Sequence, residues 1–197
     1  MNGSGSARRP TNQLRIIGGQ WRGRRLSFPD VPGLRPSPDR VRETLFNWLR
    51  PVIEGARCLD LFAGSGALGF EALSRGAAHV VFVDRHMAVV RQLREHAQML
   101  ATRNAEIVQA DVMDYLGADA NTRFDVVFVD PPYAQGLLVP CCQRLVDGNW
   151  LRHPAHLYLE AERALGVPSV PAACTVSRSK QAGQVGYHLA YCDAVTN

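Results

Sequence analysis

Lysine and long apolar stretches are almost missing from this sequence. A single lysine, Lys180, stands among 22 basic residues, and the rest are arginine. No apolar run is long enough to span a membrane, and the longest, Val80–Val83 and Val126–Val129, are typical of buried strands. The first ten residues contain no apolar signal core, so we expect a short disordered leader and a cytoplasmic protein.

Cysteines are few, and their spacing shows no pairs. An odd number of cysteines without paired spacing indicates neither a disulfide framework nor a zinc site, and a reducing compartment is the simpler expectation. The sequence also shows no cluster of metal ligands and no internal repeat. A chain of 197 residues is long enough for one well-buried domain. The cysteines are Cys58, Cys141, Cys142, Cys174 and Cys192.

The net charge of +4 is unevenly distributed along the chain. Residues 1–57 carry eleven arginines against four acids, a balance of +7, whereas the remaining residues have a balance of −3. An enzyme that binds phosphates gains from a basic segment, and an enzyme for a small neutral metabolite does not. A solvated basic tail that arose by chance is the alternative. The asymmetry favours a nucleic acid as the partner.

The amino-terminal part predicts a small hairpin followed by a helix. Residues 14–17 and 24–28 flank a glycine-rich turn, which favours a hairpin. Ser37 can cap the next helix, Pro38 suits its first position, and Asp39 favours the positive end of its dipole. We therefore predict three parts, which are a disordered leader over 1–12, a basic amino-terminal hairpin extension over 13–36 and a catalytic domain over 37–197.

From Arg57 onward, short apolar strands alternate with helices, which is the pattern of a parallel sheet covered on both faces. The last two strands have no helix between them, so we expect a hairpin that places an antiparallel strand at the edge of the sheet. The predicted strands are Cys58–Phe62, Val80–Asp84, Glu106–Ala110, Phe124–Asp130, Leu157–Glu160, Cys174–Arg178 and Tyr187–Tyr191. The predicted helices are Ala67–Arg75, His86–Ala101, a short turn after Asp111, and Leu137–Leu145.

A glycine-rich turn, Gly64-Ser65-Gly66, joins the first of these strands to the first helix. Glycines permit a tight turn and the close approach of a ligand, and the following helix supplies free amides. Asp84 ends the second strand twenty residues later, where it could accept hydrogen bonds from ribose hydroxyls. A dinucleotide could use the same turn, but Asp60 before it would repel a pyrophosphate. Asp60 suits the cationic methionine end of a sulfonium cofactor instead.

Asp111 follows the third strand, where it could read an adenine amino group. Asp84 or Asp111 alone could equally be a strand-end cap, but together with Asp60 they favour S-adenosylmethionine. We predict that this cofactor contacts Asp60, Phe62, Ala63, Gly64, Ser65, Gly66, Asp84, Arg85, Asp111 and Val112.

The tetrapeptide Asp130-Pro131-Pro132-Tyr133 ends the fourth strand and shares the crevice at the carboxyl ends of the strands with the Gly64 turn. An aromatic amine is a poor nucleophile because its lone pair is delocalised into the ring. The Asp130 carboxylate and a carbonyl near Pro131 could accept the two amine protons and direct the lone pair at a methyl group. The prolines stiffen the backbone, and Tyr133 would stack on the base, worth about 1–3 kcal/mol.

These four residues are therefore the predicted catalytic group for methylation of an exocyclic amino group on a nucleic-acid base. Orientation and electrostatics would carry the reaction, and no metal is needed. Pro140-Cys141-Cys142 offers a competing chemistry, the cysteine nucleophile of cytosine-C5 methyltransferases. That nucleophile belongs directly after the fourth strand, whereas these cysteines lie further on in a predicted helix. Packing in the core is the better interpretation of the two cysteines.

Taken together, the motifs resemble the bacterial 16S ribosomal RNA guanine-N2 methyltransferases of the RsmD family over nearly the whole chain after the leader. The amino-terminal block is the most specific part, because it separates this family from other Asp-Pro-Pro-Tyr methyltransferases. One departure is Ser37, where the family usually has threonine, and the hydroxyl is kept. The blocks that carry the resemblance are 15–19 with 22–24, 34–49, 59–66, 130–133 and 180–187.

The resemblance implies an α/β fold, that of a Rossmann-like class I S-adenosylmethionine methyltransferase. It implies a seven-stranded sheet of order 3-2-1-4-5-7-6 with the last strand antiparallel. The implied reaction is methyl transfer to the exocyclic N2 of a guanine in 16S ribosomal RNA (guanine 966 in the family's usual substrate). The implied partner is the 30S subunit or an assembly intermediate, with ribosomal proteins adjacent, and the protein is expected to be a monomer that binds no membrane.

Two further expectations concern the basic amino-terminal segment. Residues 35–44 are expected to fold over the cofactor, with plain helix packing as the alternative. Arginines near the crevice could bind the phosphates of an RNA loop. In such a loop the target base can be unstacked at a low cost in free energy. The predicted contacts to RNA are Arg15, Arg22, Arg24, Arg25, Arg35 and Arg40.

Three alternatives compete with this hypothesis. A DNA adenine-N6 methyltransferase uses the same tetrapeptide, but it typically needs a separate target-recognition domain, for which this chain leaves little room. A catalytically dead RNA-binding module would not need Asp130, Tyr133 and the Gly64 turn intact. A small-molecule N-methyltransferase would not explain the basic segment. The residues alone leave guanine and adenine open, since both bases carry an exocyclic amine.

Overall fold

The computed structural model describes residues 13–28 and 37–194. Within these residues the chain forms nine strands and five α-helices. The strands are β1 (Gln13–Arg15), β2 (Arg25–Ser27), β3 (Arg57–Leu61), β4 (His79–Asp84), β5 (Ala105–Gln109), β6 (Phe124–Val129), β7 (Leu151–Glu162), β8 (Cys174–Ala182) and β9 (Val185–Cys192). The helices are α1 (Asp39–Leu49), α2 (Ala67–Ser74), α3 (Met87–Met99), α4 (Val112–Gly117) and α5 (Leu138–Asp147), with a 3-10 turn at Arg163–Leu165.

Seven of the strands form one mostly parallel sheet in the order β5-β4-β3-β6-β7-β9-β8. Counted from β3 along the chain, this order is 3-2-1-4-5-7-6, and the last strand is antiparallel to both of its neighbours. The prediction of an α/β methyltransferase fold with this sheet is confirmed. Crossovers through helices join the parallel strands, so the carboxyl ends of β3 to β7 lie at one edge of the sheet.

The carboxy-terminal hairpin has the arrangement that the predicted order 3-2-1-4-5-7-6 implies. The antiparallel strand β9 lies between β7 and β8, and β8 is the outermost strand. These three strands are also longer than their apolar cores predicted, because β9 pairs with β7 from Ala155 to Glu162 and with β8 along nearly its whole length. The polar ends of the strands are stabilised by this pairing and not by burial, so apolar patterning does not reveal them.

Both faces of the sheet are covered by helices, and the strands supply apolar side chains to each face alternately. Cys58 and Phe128 belong to the core that packs against α1, α2 and α3. Leu59 and Val127 belong to the core on the opposite face, against α4 and α5. The near-continuous apolar strands of the sequence therefore reflect burial on two sides.

Cysteine pairing is a point on which the sequence-based expectation was wrong. Cys174 at the start of β8 and Cys192 at the end of β9 form a disulfide. The two residues are 18 positions apart, and only the register of the hairpin, which places Cys174 directly opposite Cys192, brings them together. Cys58, Cys141 and Cys142 are free and buried.

Helix α1 begins one residue later than the capping pattern predicted. Pro38 occupies the N-cap position, and no side chain caps the helix. The Ser37 hydroxyl instead donates a hydrogen bond to Oε2 of Glu160, 3.1 Å away on β7. Asp39 lies in the first turn as predicted and accepts a hydrogen bond from Nη2 of Arg42.

The amino-terminal hairpin of β1 and β2 packs into the same core as the sheet. Leu14, Ile16 and Leu26 are buried together with residues of α1 and α2. The hairpin predicted over residues 14–28 is therefore present. The predicted leader over 1–12 lies outside the described residues, as do residues 29–36, so the division of the chain at residues 12 and 36 stays a prediction.

Among the described residues, no helix is both long and apolar enough to cross a membrane. The same residues contain no group of three or more histidine, cysteine, aspartate or glutamate side chains arranged to hold a metal ion.

Candidate functional site

Acidic side chains mark the edge of the sheet where the parallel strands end. Because neighbouring parallel strands point the same way, residues that follow them lie side by side in one crevice. The acids at this edge are Asp60 in β3, Asp84 at the end of β4, Asp111 after β5, Asp130 after β6 and Glu160 near the end of β7.

The glycine-rich turn between β3 and α2 uses backbone conformations that most residues avoid. Gly64 and Gly66 have φ angles of 51° and 75°, and Gly66 is the N-cap of α2. A side chain at Gly66 would also collide with Phe70 and Leu93. Ala63 holds the turn to β4, because its amide donates to the carbonyl of Val83 at 2.9 Å. Glycine is therefore required here both by the left-handed backbone and by packing.

Three other predicted cofactor residues lie in this turn or after the neighbouring strand β4. Phe62 is half-buried and itself has a positive φ of 60°. Ser65 is buried, and Arg85 is exposed directly after the last residue of β4. The structure thus gathers Phe62 to Gly66 and Arg85 at the same edge of the sheet.

Asp60 is a buried carboxyl, only 2% exposed, beneath the turn. Its Oδ2 accepts a hydrogen bond from the amide of Gly69 at 2.9 Å. Burial raises the pKa of Asp60 to about 8, the Gly69 amide opposes this, and the Asp84 carboxylate adds to it. A cation bound beside Asp60 would favour its ionised form.

Asp84 ties the glycine-rich turn to β4. Its Oδ2 accepts from the amide of Gly64 at 3.0 Å, and its Oδ1 accepts from the amide of His86 at 2.8 Å. The strand-end capping that was the alternative for Asp84 is therefore present. Capping uses one lone pair of each oxygen, and a carboxylate has further acceptor capacity for hydroxyl groups.

Asp111 has a capping role as well. It is the N-cap of α4, and its Oδ1 accepts a hydrogen bond from the amide of Met113 at 2.8 Å. Val112, the first residue of α4, is buried. Both residues lie at the crevice edge, and Asp111 stays exposed there.

The motif that follows β6 combines a carboxyl in a desolvated setting with an accessible ring. Burial raises the pKa of Asp130 well above its ordinary value, and the Glu160 and Asp60 carboxylates raise it further. Pro131 is buried, whereas Pro132 and Tyr133 are exposed, Tyr133 by 45%. The Tyr133 ring is therefore free on part of its surface to contact a planar ligand.

A cavity of about 240 Å³ opens beside this motif. The prolines and Tyr133 form one wall, and residues of α5, the end of β7 and the loop 165–169 form the others. Its volume is below the ~300–1,000 Å³ typical of clefts for drug-sized ligands, which suits a smaller planar group. Glu162 fixes the rim, because its Oε1 accepts from the amide of Ala134 at 2.6 Å.

Behind the motif lies a hydrogen-bonded group that was not predicted from the sequence. Glu160 is 4% exposed, and its Oε2 accepts from the Tyr158 hydroxyl at 2.7 Å and from the Ser37 hydroxyl at 3.1 Å. Burial raises the pKa of Glu160, although both hydrogen bonds act in the opposite direction. The one available signal was a glutamate at the end of an otherwise apolar predicted strand.

The predicted RNA-binding arginines fall into two places. Arg15 and Arg25 line a cavity of about 330 Å³ together with Ser37, next to the crevice. Arg40 is exposed at the start of α1. Arg35 lies outside the described residues.

Arg22 and Arg24 lie at the other end of the amino-terminal hairpin. Nη1 of Arg24 donates to the carbonyl of Met99 at 3.4 Å, and the neighbouring amide of Trp21 donates to Ser74. Ser74 and Met99 end α2 and α3, which run back from the crevice. The structure therefore does not bring Arg22 and Arg24 to the crevice itself.

Cys141 and Cys142 are fully buried in α5, as the packing interpretation predicted. Burial raises the pKa of each thiol to about 12, so neither is a thiolate at neutral pH.

Comparison with known proteins agrees with this geometry. The family model described as Conserved hypothetical protein 95 matches residues 14–191. Ribosomal RNA small subunit methyltransferase D of Escherichia coli (strain K12) is 52% identical over 179 residues, which cover 91% of this chain and 90% of that protein. The protein of the same name from Haemophilus influenzae is 43% identical over 180 residues, covering 90% and 93%.

A solved structure shows the same likeness. The Escherichia coli protein yhhF superposes with a TM-score of 0.86 at 49% sequence identity, covering 92% of this chain and 99% of that chain. The chain belongs to the RsmD family of S-adenosylmethionine-dependent methyltransferases, the family that the Conserved hypothetical protein 95 model describes.

Proposed function

We propose that the protein transfers a methyl group from S-adenosylmethionine to the exocyclic N2 of a guanine in 16S ribosomal RNA. The observation that carries the proposal is the half-buried Asp130 carboxyl at the end of β6, directly before an open cavity walled by Pro131, Pro132 and Tyr133. The relatives from Escherichia coli and Haemophilus influenzae are both named ribosomal RNA small subunit methyltransferase D. The exact position of the guanine in the RNA stays a prediction.

The crevice residues fit the cofactor by their chemistry. Asp60 is buried, and no ion pair joins it to a cation among the described residues, so a cationic methionine end would compensate its charge. The turn Phe62–Gly66 would lie against the cofactor, Asp84 and Arg85 would face its ribose, and Asp111 and Val112 its adenine. When bound, S-adenosylmethionine supplies a methyl group whose C–S bond breaks with the electron pair going to sulfur.

Asp130 would activate the amine. Its carboxylate accepts a hydrogen bond from the N2 amine, as does a backbone carbonyl near Pro131, so the nitrogen lone pair is released from the ring and aligned for attack. The proton that the nitrogen loses after the N–C bond forms would pass to Asp130. The raised pKa of Asp130 makes it a stronger proton acceptor than an exposed aspartate. Tyr133 would stack on the guanine and hold its plane.

Basic side chains near the crevice would hold the RNA. Arg15 and Arg25 line the cavity that adjoins Ser37, and Arg40 is exposed at the start of α1, next to Asp39 of the same cavity. Arg22 and Arg24 would contact phosphates further along the RNA, if the bound RNA extends along the hairpin. The substrate would be the 30S subunit or an assembly intermediate, with ribosomal proteins adjacent, bound by one copy of the protein in the cytoplasm.

The first test measures methyl transfer into RNA. The wild-type protein and Asp130→Asn would be incubated with labelled S-adenosylmethionine and small-subunit particles that lack the modification. We expect label in the 16S RNA with the wild type and transfer roughly 100- to 1,000-fold slower with Asp130→Asn, because the amide is a weaker acceptor and cannot take the proton. Cofactor binding, measured by calorimetry, should be unchanged.

Asp114→Asn is the matched control for this substitution, because Asp114 is an exposed aspartate in the first turn of α4. It should transfer label at the wild-type rate. Label in ribosomal protein and not in RNA, or equal rates for Asp130→Asn and the wild type, would contradict the proposed function.

A further inference from the structure

Glu160 is a buried acid for which the proposed methyl transfer has no use. It lies in β7 beside β6, and the register of the two strands pairs Val129 with Leu159, so Asp130 and Glu160 follow side by side. Glu160 is 4% exposed and yet contributes to the wall of the cavity that Pro131, Pro132 and Tyr133 also line.

Within residues 13–28 and 37–194, the hydrogen bonds of Glu160 involve only one of its two oxygens. The Tyr158 and Ser37 hydroxyls both donate to Oε2, and no described residue donates to Oε1. Tyr158 is itself fully buried, so the Glu160 side chain is fixed from behind. Two hydrogen bonds to Oε2 thus hold a carboxyl group that forms part of the cavity wall.

Folding alone gives no reason for this arrangement. No ion pair between Glu160 or Asp130 and a basic side chain exists among residues 13–28 and 37–194, although the two carboxyl groups lie next to each other. Two adjoining carboxyl groups, Glu160 buried and Asp130 half-buried, are costly without a cation. Such a cost is typical of a site that must accept hydrogen bonds from a ligand.

We propose that Glu160 accepts the N1–H of the target guanine while Asp130 accepts from its N2 amine, and that Glu160 thereby selects guanine over adenine. This inference rests on the proposed function. The Watson–Crick edge of guanine presents two neighbouring donors, N1–H and the N2 amine. The neighbouring carboxylates of Glu160 and Asp130 can each accept a hydrogen bond from one of them. A base turned out of the stack is commonly read on this edge.

Adenine would not satisfy the same pair of acceptors. Its N1 is an acceptor, so it would face the Glu160 carboxylate without a proton between them. A site built to receive a hydrogen bond rejects an analogue that lacks the donor far more strongly than an apolar pocket rejects a missing methyl group. Glu160 therefore supplies the discrimination that the Asp-Pro-Pro-Tyr motif lacks, since that motif suits any exocyclic amine.

The test uses a base analogue that keeps the reacting amine. 2-Aminopurine carries the amine at C2, but its N1 is an acceptor and it has no O6. Small-subunit particles would be reconstituted from ligated 16S RNA with either guanine or 2-aminopurine at the target position. The value of kcat/KM would be measured on both particles for the wild type and for Glu160→Gln, whose amide oxygen can still accept from Tyr158 and Ser37.

We expect the wild type to prefer guanine over 2-aminopurine by about 100-fold or more. In Glu160→Gln, activity on guanine should fall while activity on 2-aminopurine is kept, because the amide can donate to an N1 acceptor. The preference for guanine over 2-aminopurine should shrink to roughly tenfold or less. The preference that remains would come from O6, which 2-aminopurine lacks. Tyr158→Phe, which keeps both carboxylates and removes one hydrogen bond to Oε2, should shift the preference in the same direction by a smaller factor.

Glu106→Gln is the matched control, because Glu106 is an exposed glutamate of β5 at the opposite edge of the sheet. Its guanine preference should equal that of the wild type. The inference would be overturned if the wild type methylates guanine particles and the guanine preference of Glu160→Gln and Tyr158→Phe is unchanged. That result would leave the proposed function intact. Failure of the wild type to methylate guanine particles would overturn the proposed function, and this inference with it.

Discussion

Single residues at the strand ends carry the chemistry, and they differ in how far the sequence reveals them. Asp130 is recognisable because its meaning lies in four consecutive residues, and Asp60 because it precedes a glycine-rich turn. Glu160 was missed because its role depends on β7 lying next to β6, and on Ser37, which is 123 positions away. Long-range neighbours of this kind cannot be read from local spacing.

A prediction at this scale concerns Asp60 and pH. The pKa of Asp60 is about 8 in the folded protein against 3.8 for an ordinary aspartate. Between these values the folded state holds a proton that the unfolded state has lost, so the contribution of Asp60 to stability falls as pH rises. Asp60→Asn, measured without cofactor by denaturant unfolding, should therefore gain stability relative to the wild type on going from pH 5 to pH 9, by a few kcal/mol.

Asp114→Asn makes the same substitution at an exposed position and is the control for general effects of pH on unfolding. A stability difference between Asp60→Asn and the wild type that does not change with pH would contradict the assignment of a raised pKa to Asp60.

At the scale of elements, one buried glutamate of α2 makes two of the hydrogen bonds that dock the amino-terminal hairpin. Glu71 of α2 is completely buried and accepts from the amides of Ile17 and Gly18, each at 2.8 Å. Its carboxylate also pairs with Arg75 at 2.7 Å and with Arg42 at 3.6 Å. The sequence predicted the hairpin from its glycines, but the partner that docks it lies more than fifty residues away.

Glu71→Gln tests this docking. The amide group would place N–H donors against backbone amides and remove the carboxylate that pairs with Arg75, so we expect a loss of roughly 3–5 kcal/mol in the free energy of unfolding. Chemical denaturation measures the loss. Glu95→Gln, at an exposed ion pair with Arg91 on α3, should cost less than about 1 kcal/mol. Similar losses for the two variants would show that Glu71 does not hold the hairpin.

The same scale shows why the boundaries of the last strands were predicted less well. The apolar cores of β7, β8 and β9 were found, but their polar ends and the Cys174–Cys192 pair depend on hairpin register. In contrast, β3, β4 and β6 were placed to within one residue, because strands buried on both faces are apolar throughout. Burial leaves a local signal in the sequence, and strand pairing does not.

Over the whole molecule, a cavity lined by arginines lies next to a cavity lined by acidic residues. The cavity that Arg15 and Arg25 line adjoins Ser37, and Ser37 donates to Glu160 at the acidic cavity beside Tyr133. RNA phosphates are bound by basic side chains, whereas the hydrogen-bond donors of a base are bound by acidic ones. The two adjoining cavities supply both kinds of side chain. The charge asymmetry of the sequence indicated such a surface, but it did not show that Arg22 and Arg24 lie at the far end of the hairpin.

The central claim is the identity of the methylated base. Small-subunit particles that lack the modification would be incubated with the protein and labelled S-adenosylmethionine, and the RNA would be digested to nucleosides and separated. We predict that the label migrates with N2-methylguanosine. Label in N6-methyladenosine, or transfer no greater than in the absence of protein, would contradict the account.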